Sequence, residues 1–312
     1  ELAWHCCVAE LKGEAVPNWQ LRLNELHEEL AQEVNPTLIL IMEAAQKNGV
    51  SCITDDDDLS LGMGKTSQTW PIDELPALQD IQWHTYKDIP RALITGTNGK
   101  STSVRLASHI AKAAGFVAGV TSTDFIRVGD DIIDNGDYSG PGGARMLLRD
   151  SRTEIAFLEV ARGGILRRGI PIDSVDAALI TNVDSDHLGQ YGINTVEELA
   201  ETKFVVAKGL DQQGILVLNA DNELVIAQGL KLDKSICWYS TDESNVLIQS
   251  QISCGGAAVF IRNQHIIYVS GYKEEKIASL EQVPMTLNGA AQHNVQNALG
   301  VVGLSKALKL PT

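Results

Sequence analysis

Positive charge is in short supply in this chain of 312 residues. Its 25 Lys and Arg stand against 40 Asp and Glu, a net charge of -15. That excludes the broad basic surface that nucleic acid or an anionic membrane requires, though not a local basic pocket. Cysteine is sparse as well. Cys6, Cys7, Cys52, Cys237 and Cys254 form no C-x-x-C pair, which argues against a zinc cluster or a disulfide framework and for reduced thiols in a cytoplasmic protein. Aromatic residues make up only 5%, so the core must be aliphatic. No apolar run approaches the ~20 residues that span a bilayer, and no basic-then-apolar signal pattern follows Glu1. The chain therefore reads as a piece of a longer one, with no membrane and no nucleic-acid partner. Homo-oligomerisation is left open.

What is present is patterned, in two stretches. Residues 1–90 read as a mixed α+β region. "LRLNELHEELAQEV" places apolar residues at helical spacing, "TLILIMEAAQKNG" reads as a second helix ended by Gly49, and "VSCIT" as a short strand. The run Asp55 to Asp58 reads as a solvated turn, and the three prolines between Trp70 and Pro90 as a connector. Residues 91–312 read as one larger unit. "RALIT", "FVAGVTST", "EIAFLEV", "DAALITNV" and "GILVLNA" are strand candidates. Helical stretches interrupt them, among them "STSVRLASHIAKAAG" and "TVEELAETKFVVAKG", whose Thr195 and Glu198 have capping-box spacing. The alternation predicts an α/β fold with a doubly wound, mostly parallel sheet. From Ile236 to Leu287, "ICWYS", "NVLIQSQIS", "GAAVFIR" and "HIIYVSG" read as short strands of a small antiparallel patch. "HNVQNALGVVGLSKALKLP" reads as a closing helix.

Two segments hold Gly-Lys followed by a hydroxyl residue: "TGTNGKST" and, upstream, "LGMGKTSQTW". Neither satisfies G-x-x-x-x-G-K-[ST], because Ile94 and Leu59 stand where the first glycine belongs. Context separates them. A phosphate loop must leave a buried strand and enter a helix N-terminus, where unpaired N–H groups and the helix dipole meet the anion. Only Gly96–Ser101 has such a strand before it and such a helix after it, so the fold is expected to contain a P-loop there. Gly96 and Gly99 admit the phosphates closely, Lys100 neutralises their oxygens, and Ser101 offers a hydroxyl to Mg²⁺. Thr97, Asn98 and Thr102 complete the ATP-binding segment.

The shortened loop resembles that of the Mur ligase family, whose members join a carboxylate to an amine with ATP. Further segments match that family in order: "FLEVARGGILRRG", "TNVDSDHLG", "TVEELAETK", "GILVLNADN" and "HNVQNAL". Within the family, "ARGGILRRG" and "DYSGPGGARMLLRD" most resemble the ligase half of cyanophycin synthetases. The resemblance spans about residues 91 to 312. It implies ATP and two Mg²⁺ ions as cofactors, and an acyl-phosphate route from a small-molecule or peptide carboxylate and an amino acid to an amide. It implies that Lys100, Glu159, His187 and Lys203 are catalytic. Ser101, Glu159, His187 and a carbamylated Lys203 would hold metal, with Asp186 supporting His187. Asn182, Asn294 and Asn297 become nucleotide ligands. Arg162 and Arg167, with Arg168 beside them, become grips for substrate carboxylates, and Ser139 in its Gly-Pro loop faces the substrate.

Two departures qualify this reading. The Asp-Tyr-x-His stretch of the family's C-terminal domain is missing, and the N-terminal region only faintly resembles the part of cyanophycin synthetase that precedes an ATP-grasp domain. A catalytically inactive ATP-binding partner subunit, a peptidoglycan or folylpolyglutamate type of ligase, and a generic phosphate-loop ATPase are the alternative expectations.

Overall fold

The computed structural model describes residues 2–14, 18–185 and 188–311. It begins with three helices, α1 (Leu2–Lys12), α2 (Trp19–Glu33) and α3 (Pro36–Lys47). The start of α3 is set locally: Asn35 accepts a hydrogen bond from the Leu38 amide (3.0 Å), and Pro36 fills a first-turn position that needs no N–H. An antiparallel sheet follows, built of β1 (Cys52–Thr54), β2 (Asp58–Leu61) and β3 (Gln68–Pro71). Ile41 and Ala45 of α3 meet Leu59 and Leu61 of this sheet in a small core. The connector expected before Pro90 is a series of short 3-10 turns.

The rest of the chain is a second sheet of eleven strands with its helices. In chain order these are β4 (Arg91–Thr95), α4 (Lys100–Ala113), β5 (Ala118–Thr121), β6 (Phe125–Val128), β7 (Asp131–Asn135), α5 (Pro141–Arg149), β8 (Ile155–Glu159), α6 (Arg162–Arg168) and β9 (Val175–Ile180). Then come α7 (Val196–Phe204), β10 (Leu210–Asn219), α8 (Glu223–Gly229), β11 (Ser235–Ser240), α9 (Val246–Ser253), β12 (Ala257–Arg262), β13 (His265–Ser270), β14 (Lys273–Ser279) and α10 (Gln292–Ala307). Across the sheet the order is β14-β13-β12-β11-β10-β9-β4-β8-β5-β6-β7. The strands from β12 to β5 run parallel, and an antiparallel hairpin closes each end.

Both faces are covered, which is why the central strands are apolar throughout. Along β4, Ala92 and Ile94 face a core shared with Val104 and Ala107 of α4 and Leu299 and Val301 of α10. Leu93 faces the opposite core, with Leu147 of α5, Leu199 of α7 and Val225 of α8. The chain winds from β4 through β5 to β8 on one side and continues through β9 on the other. β4 is thus the switch point of the sheet, and ligands of such sheets gather at the carboxyl ends there.

Two sequence readings are corrected. "NVLIQSQIS" is the helix α9, because Asn245 caps it by accepting the Leu247 amide (2.9 Å). "ICWYS" and "GAAVFIR" are parallel strands joined through that helix, so the antiparallel patch is confined to β12, β13 and β14. The acidic run is the expected turn, with Asp56 and Asp57 exposed, but its two ends are tied down. Arg149, at the end of α5, donates to Asp55 (2.8 Å), to the Ser60 hydroxyl (2.9 Å) and to the Asp58 carbonyl (3.1 Å), which latches the small sheet to the large one. Burial alone would raise the Asp55 carboxyl, but Arg149 and the Asp57 and Asp58 amides hold it below the usual range. The upstream Gly64–Thr66 does follow a strand, β2, yet it forms a single 3-10 turn with Lys65 paired to Glu154 (2.6 Å), and no α-helix N-terminus is there to receive an anion. No described helix is long and apolar enough to cross a membrane.

Candidate active site

β4 ends at Thr95, and the chain turns through Gly96–Gly99 into the N-terminus of α4. The turn depends on its glycines. Gly96 has φ 149° and Gly99 φ 84°. A Cβ on Gly96 would overlap the Thr181 hydroxyl, and one on Gly99 would overlap the Asn297 side-chain oxygen.

The end of β9 grips this loop. The Thr97 amide donates to the Asn182 carbonyl (2.9 Å) and the Asn98 amide to Asn182 Oδ1 (2.9 Å), while Asn182 Nδ2 donates to the Asn98 carbonyl (3.1 Å). Thr181 Oγ1 donates to the same carbonyl (2.6 Å), and the Asp184 amide donates to Thr97 Oγ1 (3.0 Å). Asn182, expected at the nucleotide, has both ends of its amide engaged with the loop backbone. Asn297 is buried against Gly99 on the other side. Asn294, one helical turn earlier, donates its Nδ2 to the Met285 carbonyl (2.8 Å).

Three cations converge beside the loop. Lys100 begins α4, and its Nζ donates to the Thr97 carbonyl (3.0 Å). Lys203, on α7, is only 4% exposed, and its Nζ donates to the Gly96 carbonyl (2.8 Å). Sequence alone would leave that lysine on a solvated helix face; α7 instead turns it inward beside Leu199, Ala200 and Phe204. Arg162 opens α6. With Gly96, Thr97 and Thr123, these three side chains line a cavity of about 210 Å³.

Glu159 is the matching anion. It ends β8, next to β4, and is 1% exposed. Neither of its carboxylate oxygens has a hydrogen-bond partner of good geometry among the described residues. Burial pushes its carboxyl above the usual range, against the pull of the nearby Ser101 hydroxyl and the Lys100 charge. The Ser101 hydroxyl itself lies 3.4 Å from that of Thr123. A buried carboxylate with no well-formed hydrogen bond among the described residues, set beside a hydroxyl where the glycine turn enters α4, is a donor set that a hard divalent cation fits. Thr102 lies in the same first turn of α4. His187 and Asp186 fall outside the described residues.

The remaining substrate candidates are not all brought together. Arg167 turns away from the cavity, donating Nε to the Gly163 carbonyl (2.9 Å) and stacking 5.7 Å from the Tyr191 ring centre. Ser139 is buried, and its hydroxyl donates to Asp137 Oδ1 (2.5 Å). Its carbonyl accepts the Ala161 amide (3.3 Å), so it braces the loop against α6. Beyond it lies a second cleft of about 350 Å³, lined by Arg145, Arg149 and Arg168 together with Asp55, Asp137 and Tyr138. Sequence reasoning missed Arg145. Its signal was the four-residue spacing from Arg149 on an otherwise apolar helix, which puts both guanidinium groups on one side. A wider hollow of about 830 Å³ around Phe204, Val205 and Leu232 has no such convergence of loop, strand end and cations.

Comparison with known proteins bears on this geometry. The family description "Mur ligase middle domain" matches residues 94–305. Cyanophycin synthetase from a Nostoc species is 40% identical over 211 residues, which is 68% of this chain and 23% of that protein. The UDP-N-acetylmuramoyl-L-alanyl-D-glutamate--2,6-diaminopimelate ligase of Chlorobaculum tepidum is 27% identical over 245 residues, 75% of this chain and 46% of that one. This chain therefore spans about a quarter of the length of the cyanophycin synthetases it matches. Among solved structures, Escherichia coli FolC in complex with DHPP and ADP superposes with a TM-score of 0.50 at 17% identity. It covers 72% of this chain and 54% of FolC, a likeness of fold.

Proposed function

The chain belongs to the Mur ligase family through its middle domain, and we propose that it is the nucleotide-binding unit of an ATP-dependent carboxylate–amine ligase of the cyanophycin-synthetase-like kind. In the proposed reaction a carboxylate oxygen of the acceptor attacks the γ-phosphorus of ATP. The bond to the bridging oxygen breaks, and ADP leaves. The amine of an amino acid then attacks the acyl carbon, loses a proton, and expels inorganic phosphate to leave an amide.

The first step brings two anions together, so the electrostatics of the cavity carry most of the catalysis. Lys100 and Arg162 face the transferring phosphoryl group. The amides at the N-terminus of α4, behind a loop held in place by Asn182 and Thr181, cradle the neighbouring phosphates. Asn294 has its Nδ2 committed to Met285, so its side-chain oxygen is the acceptor suited to the amino group of adenine. Ser101 and Glu159 would hold one Mg²⁺, and His187 with a carbamylated Lys203 a second. Such ions supply charge neutralisation on the phosphate oxygens. Arg162 orients the reacting carboxylate, and the cleft of Arg145 and Arg168 receives the rest of the acceptor.

The observation that carries this reading is the buried carboxylate of Glu159, with no well-formed hydrogen bond among the described residues, beside Ser101 and a cavity ringed by Lys100, Arg162 and Lys203. The test is ADP release by the full-length protein with Mg-ATP, screened across amino acids and aspartate-rich acceptors. Release that needs both an acceptor and an amine supports a ligase. Tight nucleotide binding with no release under any pair would count against it and favour a non-catalytic partner subunit. ADP release that persists undiminished in Lys203→Ala would instead favour a generic phosphate-loop ATPase.

A further inference from the structure

The helix α2 is amphipathic but has no core to serve. None of its described side chains is buried; Trp19 is 41% exposed and Leu30 50%. A helix of 15 residues is marginal in water by itself. Its N-cap adds nothing, since Asn18 makes no side-chain cap bond. The helix therefore needs a surface against which to bury its apolar stripe.

The stripe has a definite form. Trp19, Leu23, Leu26 and Leu30 recur at intervals of four, three and four, the d-a-d-a seam of two coiled-coil heptads. Arg22 and Glu29 then fall at the two g positions that flank the seam. Neither side chain makes an ion pair or hydrogen bond within its own chain among the described residues. The seam complements itself when a second copy is laid antiparallel about the midpoint between Leu23 and Leu26. Trp19 then meets Leu30 of the second copy, and Leu23 meets Leu26. Arg22 comes beside Glu29 of the second copy, twice by symmetry. A parallel pairing would set Arg22 against His27 and Glu29 against Val34, with no attraction in either contact.

We propose that α2 is a self-association element through which two copies of this chain pair antiparallel. The test is sedimentation equilibrium of the full chain over a wide concentration range, with nucleotide binding measured on every variant to show that the large domain is folded. Wild type is expected to dimerise, and Leu26→Asp to raise the dimer dissociation constant about a hundredfold, since each dimer then buries two carboxylates in its seam. Arg22→Glu and Glu29→Arg, taken singly, are each expected to weaken the dimer about three- to tenfold. The double exchange R22E/E29R should return it to the wild-type value. A chain that stays monomeric throughout, a dimer indifferent to Leu26→Asp, or a double exchange that fails to restore association would each overturn the proposal.

Discussion

Glu159→Gln should make the unloaded protein more stable and the loaded protein less so. The wild-type carboxylate is buried, and among the described residues neither oxygen has a well-formed hydrogen bond. Leaving a buried polar group unpaired costs about 1–3 kcal/mol, and more when it is charged. Glutamine keeps the shape and removes the charge, so without metal the variant should gain about 1–2 kcal/mol, a rise of roughly 2–5 °C in Tm. The pH dependence has a sign. Burial raises this carboxyl, so between the ordinary glutamate range and its raised value the native state binds more protons than the unfolded one. Wild-type stability at this site is therefore full below the ordinary range and falls as pH climbs through the window, whereas the variant has no such slope. Mg-ADP reverses the ranking. A ligand that binds only the native state adds about 2.7 kcal/mol at a hundredfold excess over its Kd, and the variant should forfeit most of that. The assay is calorimetric unfolding from about pH 4 to pH 9 in chelator, repeated with Mg-ADP. A variant less stable than wild type at neutral pH without metal, or one stabilised equally by Mg-ADP, refutes the reasoning.

Gly99→Ala should weaken Mg-ADP binding at least tenfold in titration calorimetry, because its Cβ meets Asn297 Oδ1 and its φ is positive. The double variant G99A/N297A should recover part of the loss, and an affinity within twofold of wild type for G99A alone would contradict the loop geometry. Arg149→Met should cost about 3 kcal/mol in urea unfolding, since it breaks a partly buried latch of three hydrogen bonds. The connector near Pro90 should then be cut faster by protease, and unchanged cleavage would show that the apolar contacts suffice. Under the proposed ligase reading, Lys203→Ala should lower ATP turnover at least a hundredfold. If Lys203 is carbamylated, wild-type turnover should also rise with bicarbonate and a carbamate carbon should appear by ¹³C NMR; a bicarbonate-independent enzyme excludes that role.

The central sheet was legible because its strands are apolar on both faces and punctuated by caps. The capping box of Thr195 and Glu198 stands where its spacing placed it. α9 was misread because isoleucine and valine near serine and glutamine look like a half-buried strand. Only Ile248 of α9 is buried, which leaves little periodicity to detect. β14 escaped notice for the opposite reason: "KEEKIAS" has no apolar alternation and owes its pairing to β13. At the site, the glycine turn between β4 and α4 was readable from strand, glycine and helix in sequence. The loop-holding contacts of Asn182 and Asn297 were not, since they join segments more than eighty residues apart. Nor could spacing alone tell that Arg162 enters the cavity while Arg167 leaves it, because that depends on where Tyr191 lies.

The two rims of the large sheet also decide how the protein behaves in a crowd. β7 is exposed along its whole length, and β14 is exposed from Lys273 to Lys276. Such edges are templates onto which a strand of another molecule can add. Here they are guarded by charge. Asp131 is paired with Arg152 and Asp134 with Tyr138, while β14 presents Lys273, Glu274, Glu275 and Lys276 in succession. Between the two aspartates lie Ile132 and Ile133, 55% and 42% exposed. Neutralising both aspartates would leave an open apolar edge with nothing to repel its own kind, and the molecule would then be lost to aggregation well before its fold or its proposed nucleotide site was disturbed.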